Sequence, residues 1–139
     1  MKVFLDANVL VATLNKEYPV FSHSSRLLSL PNSRFQLYTS SLCLAISFYF
    51  SSKKSGEKLA RQKIATLVDH IHIASISEEA VKQAIENTSI HDLEDGFQYY
   101  AALQAGCSHI VTEDTGDFYF ADISISVTNC QSFLQEHVF

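Results

Sequence analysis

The stretch VFLDAN, residues 3–8, decides how this chain begins to fold. Its first three residues are apolar, which predicts a short buried strand over residues 2–5. Asp6 follows that strand directly, and a helical pattern covers residues 9–16. A carboxylate at this point can cap the helix, or it can bind a ligand at the edge of a sheet. The stretch alone leaves both alternatives open.

Outward from this stretch, predicted strands and helices alternate along the chain. Further strands are predicted over residues 35–39, 71–76, 108–112 and 123–127. Further helices are predicted over residues 20–30, 41–53, 57–70, 78–87, 92–106 and 129–137. Strands that alternate with helices form a parallel sheet covered on both faces. The prediction is an α/β fold, a single domain over residues 1–139.

Composition predicts a folded, globular protein. Hydrophobic residues make up 47% of the 139 residues and charged residues 18%, so the chain can build a substantial core. No apolar run approaches the ~18 residues of a membrane-spanning helix, and the N-terminus lacks the pattern of a secretory signal. Cys43, Cys107 and Cys130 lie far apart within apolar patterns. We expect free buried thiols, and hence a cytoplasmic protein without membrane contact.

Charge is distributed unevenly along the chain. The net charge is −5, and residues 83–139 contain nine carboxylates but no Lys or Arg. Carboxylates that converge without a protein cation repel one another, and they are usually neutralised by a hard, oxygen-seeking cation. The pattern therefore predicts a site for Mg²⁺ or Mn²⁺.

Three groups of acidic residues are expected at one edge of the sheet. The functional crevice of a parallel sheet lies outside the carboxyl ends of its strands. Asp6 follows the first strand, and residues 113–117 follow the strand over residues 108–112. Asp95, one turn into a later helix, can reach the same edge. Asp92 is more simply interpreted as the N-cap of that helix. Helix capping can explain any one of these acidic residues. It does not explain why all of them are expected at the same edge of the sheet.

Half of the cations fall in one short segment of the predicted helices. These residues are Lys53, Lys54, Lys58, Arg61 and Lys63. A basic patch near an acidic pocket is suited to a polyanionic substrate such as a nucleic acid. The alternative is a solvated helix face, which such clusters usually are.

Four motifs occur in a fixed order. They are VFLDANVL at residues 3–10, TSSLCLA at 39–45, DLEDG at 92–96 with YAA at 100–102, and IVT at 110–112 with DF at 117–118. In these motifs the chain resembles PIN domains, especially the PIN-type toxins of bacterial toxin–antitoxin modules. The resemblance implies a three-layer α/β/α sandwich with a parallel sheet, and an endoribonuclease that depends on Mg²⁺ or Mn²⁺. It also implies RNA as substrate, a homodimer, and a neutralising antitoxin as partner.

The resemblance also implies roles for individual residues. Asp6, Asp95 and Asp117 match the catalytic acids that bind the metal, and Asp114 stands where relatives commonly have Asn and could be an extra ligand. Supporting positions are Asn8, Ser40, Asp92 and Thr112. The implied reaction is metal-assisted hydrolysis of RNA phosphodiester bonds. RNA phosphates are expected to meet Lys53, Lys54, Lys58 and Arg61.

Two positions depart from the family pattern. Relatives usually place a Glu seven residues after the first residue of the Thr39 motif, where this chain has Ile46. They also tend to have Arg at the position of Glu113. The first departure predicts a weaker metal site or one that holds a single ion, for which Glu94, Glu113 or Asp114 could compensate.

Three functions of different classes follow from these observations. The first is an active metal-dependent ribonuclease, the toxin of a toxin–antitoxin pair. The second is a PIN-like domain with little or no catalysis that binds RNA or a protein partner. Other α/β proteins with acidic pockets are disfavoured: a dehalogenase-type phosphatase needs Asp at the position of Asn8, and a receiver domain needs a late Lys. The aromatic runs at residues 48–50 and 118–120 are candidate contact surfaces, although core packing is slightly favoured for both.

Overall fold

The computed structural model describes residues 1–139 and contains a five-stranded sheet. The strands are β1 (Lys2–Leu5), β2 (Gln36–Ser40), β3 (His72–Ala74), β4 (His109–Val111) and β5 (Ser126–Thr128). Their order across the sheet is β3-β2-β1-β4-β5, and every neighbouring pair is parallel. The predicted central parallel sheet is confirmed.

β1 lies at the centre of the sheet because its residues are apolar on both faces. Val3, Phe4 and Leu5 are completely buried, as expected of a strand covered by helices on both sides. Beyond the strand, the backbone N–H of Asp6 donates to the Val111 carbonyl over 3.0 Å. This bond fixes Asp6 at the carboxyl edge, beside the end of β4.

Seven α-helices connect and cover the strands. They are α1 (Ala7–Leu14), α2 (Val20–Leu28), α3 (Ser41–Ser55), α4 (Glu57–Val68), α5 (Glu78–Glu86), α6 (Leu93–Gln104) and α7 (Cys130–His137). The chain first moves outward from β1 to β3 and then crosses back to β4, so right-handed connections place α5 and α6 on the face opposite α1–α4. The packing of α1 on α2 and α3, of α2 on α7, and of α5 on α6 agrees with two helical layers. The α/β/α sandwich is therefore confirmed.

The segment before β5 differs from the sequence prediction. The strand predicted over residues 123–127 begins only at Ser126, and Ile123 is fully exposed. The Asp122 carboxylate accepts a hydrogen bond from the Ser124 N–H over 2.7 Å, which forms a local turn instead of a strand. A short 3-10 helix over Thr115–Phe118, which the sequence did not predict, follows β4.

The three cysteines are free and buried, as predicted. They belong to one hydrophobic core that contains β1 and β4 together with residues from the helices of both layers. None of the helices combines the length and the apolar character that crossing a membrane requires.

Candidate active site

A cleft of about 410 Å³ opens at the carboxyl edge of the sheet. Seven of its twelve lining residues are acidic, and none is Lys, Arg or His. The acidic residues are Asp6, Glu17, Asp92, Glu94, Asp95, Asp114 and Asp117. The three sequence-distant acidic groups thus lie around one space, because the ends of β1 and β4 are neighbours and α6 begins close to both.

Asp6 caps α1 and also lines the cleft, so both interpretations of this residue apply. Its Oδ1 accepts a hydrogen bond from the Ala7 N–H over 2.8 Å, and its Oδ2 accepts one from the Thr112 hydroxyl over 2.8 Å. Burial raises the pKa of Asp6, and the Asp114 and Asp117 carboxylates raise it further, whereas these hydrogen bonds act in the opposite direction. Asp6 is therefore held in position, and a nearby cation would stabilise its ionised form.

Thr112 and Asn8 connect Asp6 with Asp114. The Asn8 amide donates to the Thr112 hydroxyl over 3.0 Å and to the Asp114 carboxylate over 3.2 Å. The Asp114 N–H donates to the Thr112 hydroxyl over 3.1 Å, and the Asn8 carbonyl accepts from the Glu113 N–H over 3.1 Å. These bonds fix the start of α1 against the loop after β4, which agrees with supporting positions for Asn8 and Thr112.

The N-terminus of α6 brings three more acids to the cleft. Asp92 is the N-cap, and its carboxylate accepts from the Glu94 N–H over 2.9 Å, as the capping interpretation predicts. Burial raises the pKa of Asp95 to about 7, with further contributions from Asp92, Asp117, Asp6 and Glu94. Burial also raises the pKa of Glu94, followed by the charges of Asp92 and Asp6. The acids of the cleft therefore repel one another in the absence of a cation.

Tyr119 fixes the 3-10 helix that carries Asp117 against the segment that leads into α6. Its hydroxyl accepts a hydrogen bond from the His91 N–H over 3.0 Å and donates one to the Ser89 carbonyl. Its ring lies 5.6 Å from that of His91, measured between centroids. Through this contact the position of Asp117 is linked to that of Asp92 and Asp95.

The donor set suits a hard divalent cation, because the cleft offers carboxylate oxygens and no competing cationic side chain. Burial raises the pKa values of Asp6 and Asp95, the neighbouring carboxylates raise them further, and a bound cation would offset both effects. In the present side-chain conformations, no three His, Cys, Asp or Glu residues converge closely enough to surround one ion. Binding therefore requires exposed side chains such as Asp114 and Asp117 to rotate toward the fixed Asp6.

Two residues considered for the site lie outside the cleft. Ser40 is completely buried and caps α3; its hydroxyl accepts from the Cys43 N–H and donates to Gln98 of α6 over 2.5 Å. It can support the site only by joining these two helices. Glu113 accepts a hydrogen bond from the Cys130 N–H over 3.0 Å, at the start of α7. It therefore does not replace the missing carboxylate.

Ile46 does line the acidic cleft, together with Phe50 of the same helix. The side chain is half-buried and packs against the hydrophobic core. An apolar residue thus lies in the wall of the cleft, at the position for which the sequence resemblance implies a Glu.

The basic segment lies on α3 and α4, and part of it has contacts within the fold. Lys54 donates to the Asn15 carbonyl, and Lys63 donates to the Leu14 carbonyl over 3.0 Å. Both lysines thus provide hydrogen bonds to backbone carbonyls at the C-terminal end of α1. Lys53 lies 4.6 Å from the centre of the Tyr49 ring, and exposed Arg61 pairs with Glu57 over 3.4 Å. RNA binding by this segment stays a prediction.

Sequence reasoning did not identify Glu17 or Phe50 as lining residues. Glu17 follows α1, and its N–H donates to the Ala12 carbonyl over 2.9 Å, which turns the chain back toward the cleft. Lys16, with φ of 53°, makes that turn in a conformation that the sequence did not indicate. The aromatic run at residues 48–50 is also more exposed than expected, since Tyr49 is 52% and Phe50 47% exposed. In the second run, Phe118 is buried and only Tyr119 is largely exposed.

Fold and cleft together define a class: α/β proteins with a parallel sheet and an acidic site at its carboxyl edge. The PIN domain family matches residues 2–116. The chain is 32% identical over 132 residues to Ribonuclease VapC1 of Aquifex aeolicus. The alignment covers 91% of this chain and 90% of that relative. The chain therefore belongs to the PIN domain family.

Solved structures agree on the fold. The VapC20 toxin of Mycobacterium tuberculosis, described as cleaving the sarcin–ricin loop, superposes with a TM-score of 0.70 at 16% identity, over 88% of this chain and 98% of that one. VapBC2 of Rickettsia felis, bound to a promoter DNA fragment, superposes with a TM-score of 0.69 at 19% identity, over 93% of this chain and 98% of that one.

Proposed function

We propose that this protein is a metal-dependent endoribonuclease that acts as the toxin of a toxin–antitoxin pair. The observation that carries the proposal is a cleft lined by seven acids and no cation, at the carboxyl edge of a PIN-domain sheet. A relative that bears the name ribonuclease, at 32% identity and nearly full coverage, supports the reaction type.

The proposed ligands of Mg²⁺ or Mn²⁺ are Asp6, Asp95 and Asp117, with Asp114 as an additional candidate. A divalent ion held there would polarise the scissile phosphate and lower the pKa of a water molecule toward ~7. The contribution of the chain is to hold the acids in place. Thr112 and the Ala7 N–H fix Asp6, while the Tyr119 contacts position the loop that carries Asp117.

The proposed partner is an antitoxin protein, and the proposed assembly includes a homodimer. Support comes from the superposition on VapBC2, whose structure is described as bound to a DNA fragment from its promoter. Co-expression with the product of a neighbouring gene would test this part directly, since a cognate antitoxin should co-purify and suppress RNA cleavage.

The central experiment is RNA cleavage by purified protein with Mg²⁺, with Mn²⁺ and with a chelator. We expect cleavage only with metal, and a loss of at least ~100-fold in Asp95→Asn, since a ligand carboxylate is removed. Asp122→Asn is the matched control, because Asp122 is exposed and does not line the cleft. Metal-independent cleavage that persists in Asp95→Asn would contradict the proposal.

A second candidate is a PIN domain with weak or no catalysis that binds RNA or a protein partner. Ile46 in the wall of the cleft favours it, because an apolar side chain lies where the family resemblance implies a fourth carboxylate. Metal-dependent RNA binding without cleavage would select this candidate.

A further inference from the structure

Two neighbouring aromatic side chains on α3 are exposed beside the acidic cleft. Tyr49 is 52% and Phe50 47% exposed. Their rings meet edge to face, with 5.2 Å between centroids and 82° between planes. Single exposed rings are common, but two adjacent ones form a contiguous apolar patch of the kind that marks a binding surface.

The aromatic surface is continuous with the acidic cleft. Ile46, Phe50 and Glu94 line the cleft, and the same three residues line an adjoining pocket together with Ala45 and Tyr49. A molecule with a phosphate among the carboxylates and their cation would therefore place its next group against Phe50. We refer to the adjoining pocket as the aromatic pocket.

The surroundings of the aromatic pocket favour a nucleobase over an aliphatic group. The ammonium group of Lys53 lies 4.6 Å from the centre of the Tyr49 ring, so a cation stands next to the aromatic surface. Aromatic rings beside a basic side chain are the combination by which proteins stack the bases and contact the phosphates of single strands.

We propose that the aromatic pocket binds one unpaired base of single-stranded RNA, adjacent to the phosphate that is cleaved. This inference rests on the proposed ribonuclease function and adds a substrate subsite to it. The apolar side chain of Ile46 supplies a contact surface for the base, whereas a carboxylate at this position would be hydrated. The base stacks on the face of the Phe50 ring and contacts the Tyr49 ring at its edge, because the two rings are nearly perpendicular, and Lys53 is near the next phosphate.

The absence of tryptophan from the chain provides a direct test. In a Tyr49→Trp variant the introduced indole is the sole tryptophan, and a base bound in contact with it should quench its fluorescence. The probes are an unstructured RNA hexamer and an abasic hexamer of equal length and charge, each titrated with Ca²⁺ present to limit cleavage. We expect quenching with the first and not with the second. Equal quenching by both would overturn the proposal, because the abasic chain offers phosphates alone.

Kinetics give a second, independent readout. Phe50→Ala should raise KM for RNA roughly 5- to 100-fold, the range expected for one stacked base, with little change in kcat. Phe50→Tyr should restore KM, because it retains the ring, and Phe139→Ala should behave as wild type, because Phe139 is an exposed aromatic residue outside the cleft. An unchanged KM in Phe50→Ala would overturn the subsite while leaving the ribonuclease function intact.

The remaining outcomes separate this inference from its alternatives. If the wild type cleaves no RNA but the unstructured hexamer still quenches the indole of the Tyr49→Trp variant, the base-binding subsite is supported and the proposed hydrolysis is wrong. If Phe50→Ala loses only the binding of a co-purifying protein and keeps its KM, the aromatic pocket is a protein-docking surface and the proposal is wrong.

Discussion

At the scale of single residues, Asp6 is a structural carboxylate whose two oxygens are fixed at the edge of the cleft. Its cap bond to Ala7 and its bond from Thr112 fix both oxygens, so little side-chain entropy is left to lose on binding a cation. Asp95 is less restrained, and its raised pKa of about 7 indicates that its charge is poorly accommodated without a cation. The two acids thus differ in how firmly they are held: hydrogen bonds fix Asp6, whereas Asp95 lies half-buried among other carboxylates.

The charge of Asp95 can be tested by stability. We expect Asp95→Asn to raise the free energy of unfolding without metal, because a repelling charge is removed. We also expect it to lose stabilisation by Mn²⁺, which in wild type should reach about 2.7 kcal/mol at a hundred times Kd. Thermal unfolding at several Mn²⁺ concentrations measures both effects. Equal Mn²⁺ stabilisation of the two proteins would remove Asp95 from the ligand set.

The position of Ile46 in the cleft wall makes a gain-of-ligand experiment possible. Ile46→Glu should lower the stability of the metal-free protein by about 1–2 kcal/mol, because apolar burial is lost and repulsion is added. Its affinity for Mn²⁺ should rise, since hard cations gain from an added carboxylate oxygen.

Ile46→Gln is the matched control for this experiment, because it has the same shape as the Glu variant without the charge. Isothermal titration with Mn²⁺ compares the three proteins. If the Glu and Gln variants bind Mn²⁺ equally, the added carboxylate does not reach the metal.

At the scale of elements, the close packing of α5 on α6 positions the acids of α6. A Cβ on Gly96 would lie 3.0 Å from the Ala84 Cβ and 3.2 Å from the Ile90 Cδ1. Alanine has no rotamer by which to move away, so only a shift of the helices could relieve the contact. Glycine at this position therefore sets the distance between α5 and the helix that carries Asp95.

We expect Gly96→Ala to destabilise the protein although alanine favours helices. Overpacking costs about 1–3 kcal/mol, against about 0.5–1 kcal/mol gained in helix propensity, so the net loss should be about 1 kcal/mol. Gly116→Ala is the control, because a Cβ there would meet nothing within 4 Å. Urea unfolding measures both variants. A Gly96→Ala protein as stable as wild type would show that α5 moves without cost.

The elements also show where sequence reasoning succeeds and where it does not. β1 was predictable because Val3, Phe4 and Leu5 are buried on both faces, and the cap at Asp92 was predictable because its side chain bonds its own helix. The strand predicted over residues 123–127 exists but begins three residues later, at Ser126, because the turn at Asp122 exposes Ile123. The place of Glu17 depends on one backbone turn at Lys16, and side-chain polarity does not encode such a turn.

At the scale of the whole molecule, acids concentrated at one sheet edge make stability depend on pH. The pKa values of Asp6, Glu94 and Asp95 are raised in the folded state, so the folded protein binds protons more tightly than the unfolded chain. Their contribution is complete below about pH 4 and is lost as pH rises through the folded-state values, which for Asp95 is about 7. The lowered pKa of His109, caused mainly by burial, acts in the opposite direction.

The difference between wild type and Asp95→Asn isolates this dependence. We expect the variant's advantage in unfolding free energy to grow between about pH 4 and 7 and then to level off. Saturating Mg²⁺ should reduce the advantage or reverse its sign, since the ion compensates the charge in wild type. Chemical unfolding of both proteins at a series of pH values tests this expectation. A difference in unfolding free energy that stays constant with pH would show that the pKa of Asp95 is not raised in the folded state.

The buried thiols provide a chemical reporter of local opening at the site. Burial raises the pKa of Cys43 to about 12, and its Sγ lies 3.9 Å from the Asp6 Oδ1. Because the thiolate is the form that reacts with alkylating reagents, Cys43 can be modified only when the structure around Asp6 opens. The rate of its alkylation therefore measures the frequency of that opening. A cation that joins Asp6 to the other acids should protect Cys43 more than Cys130, which lies at the start of α7, outside the cleft lining.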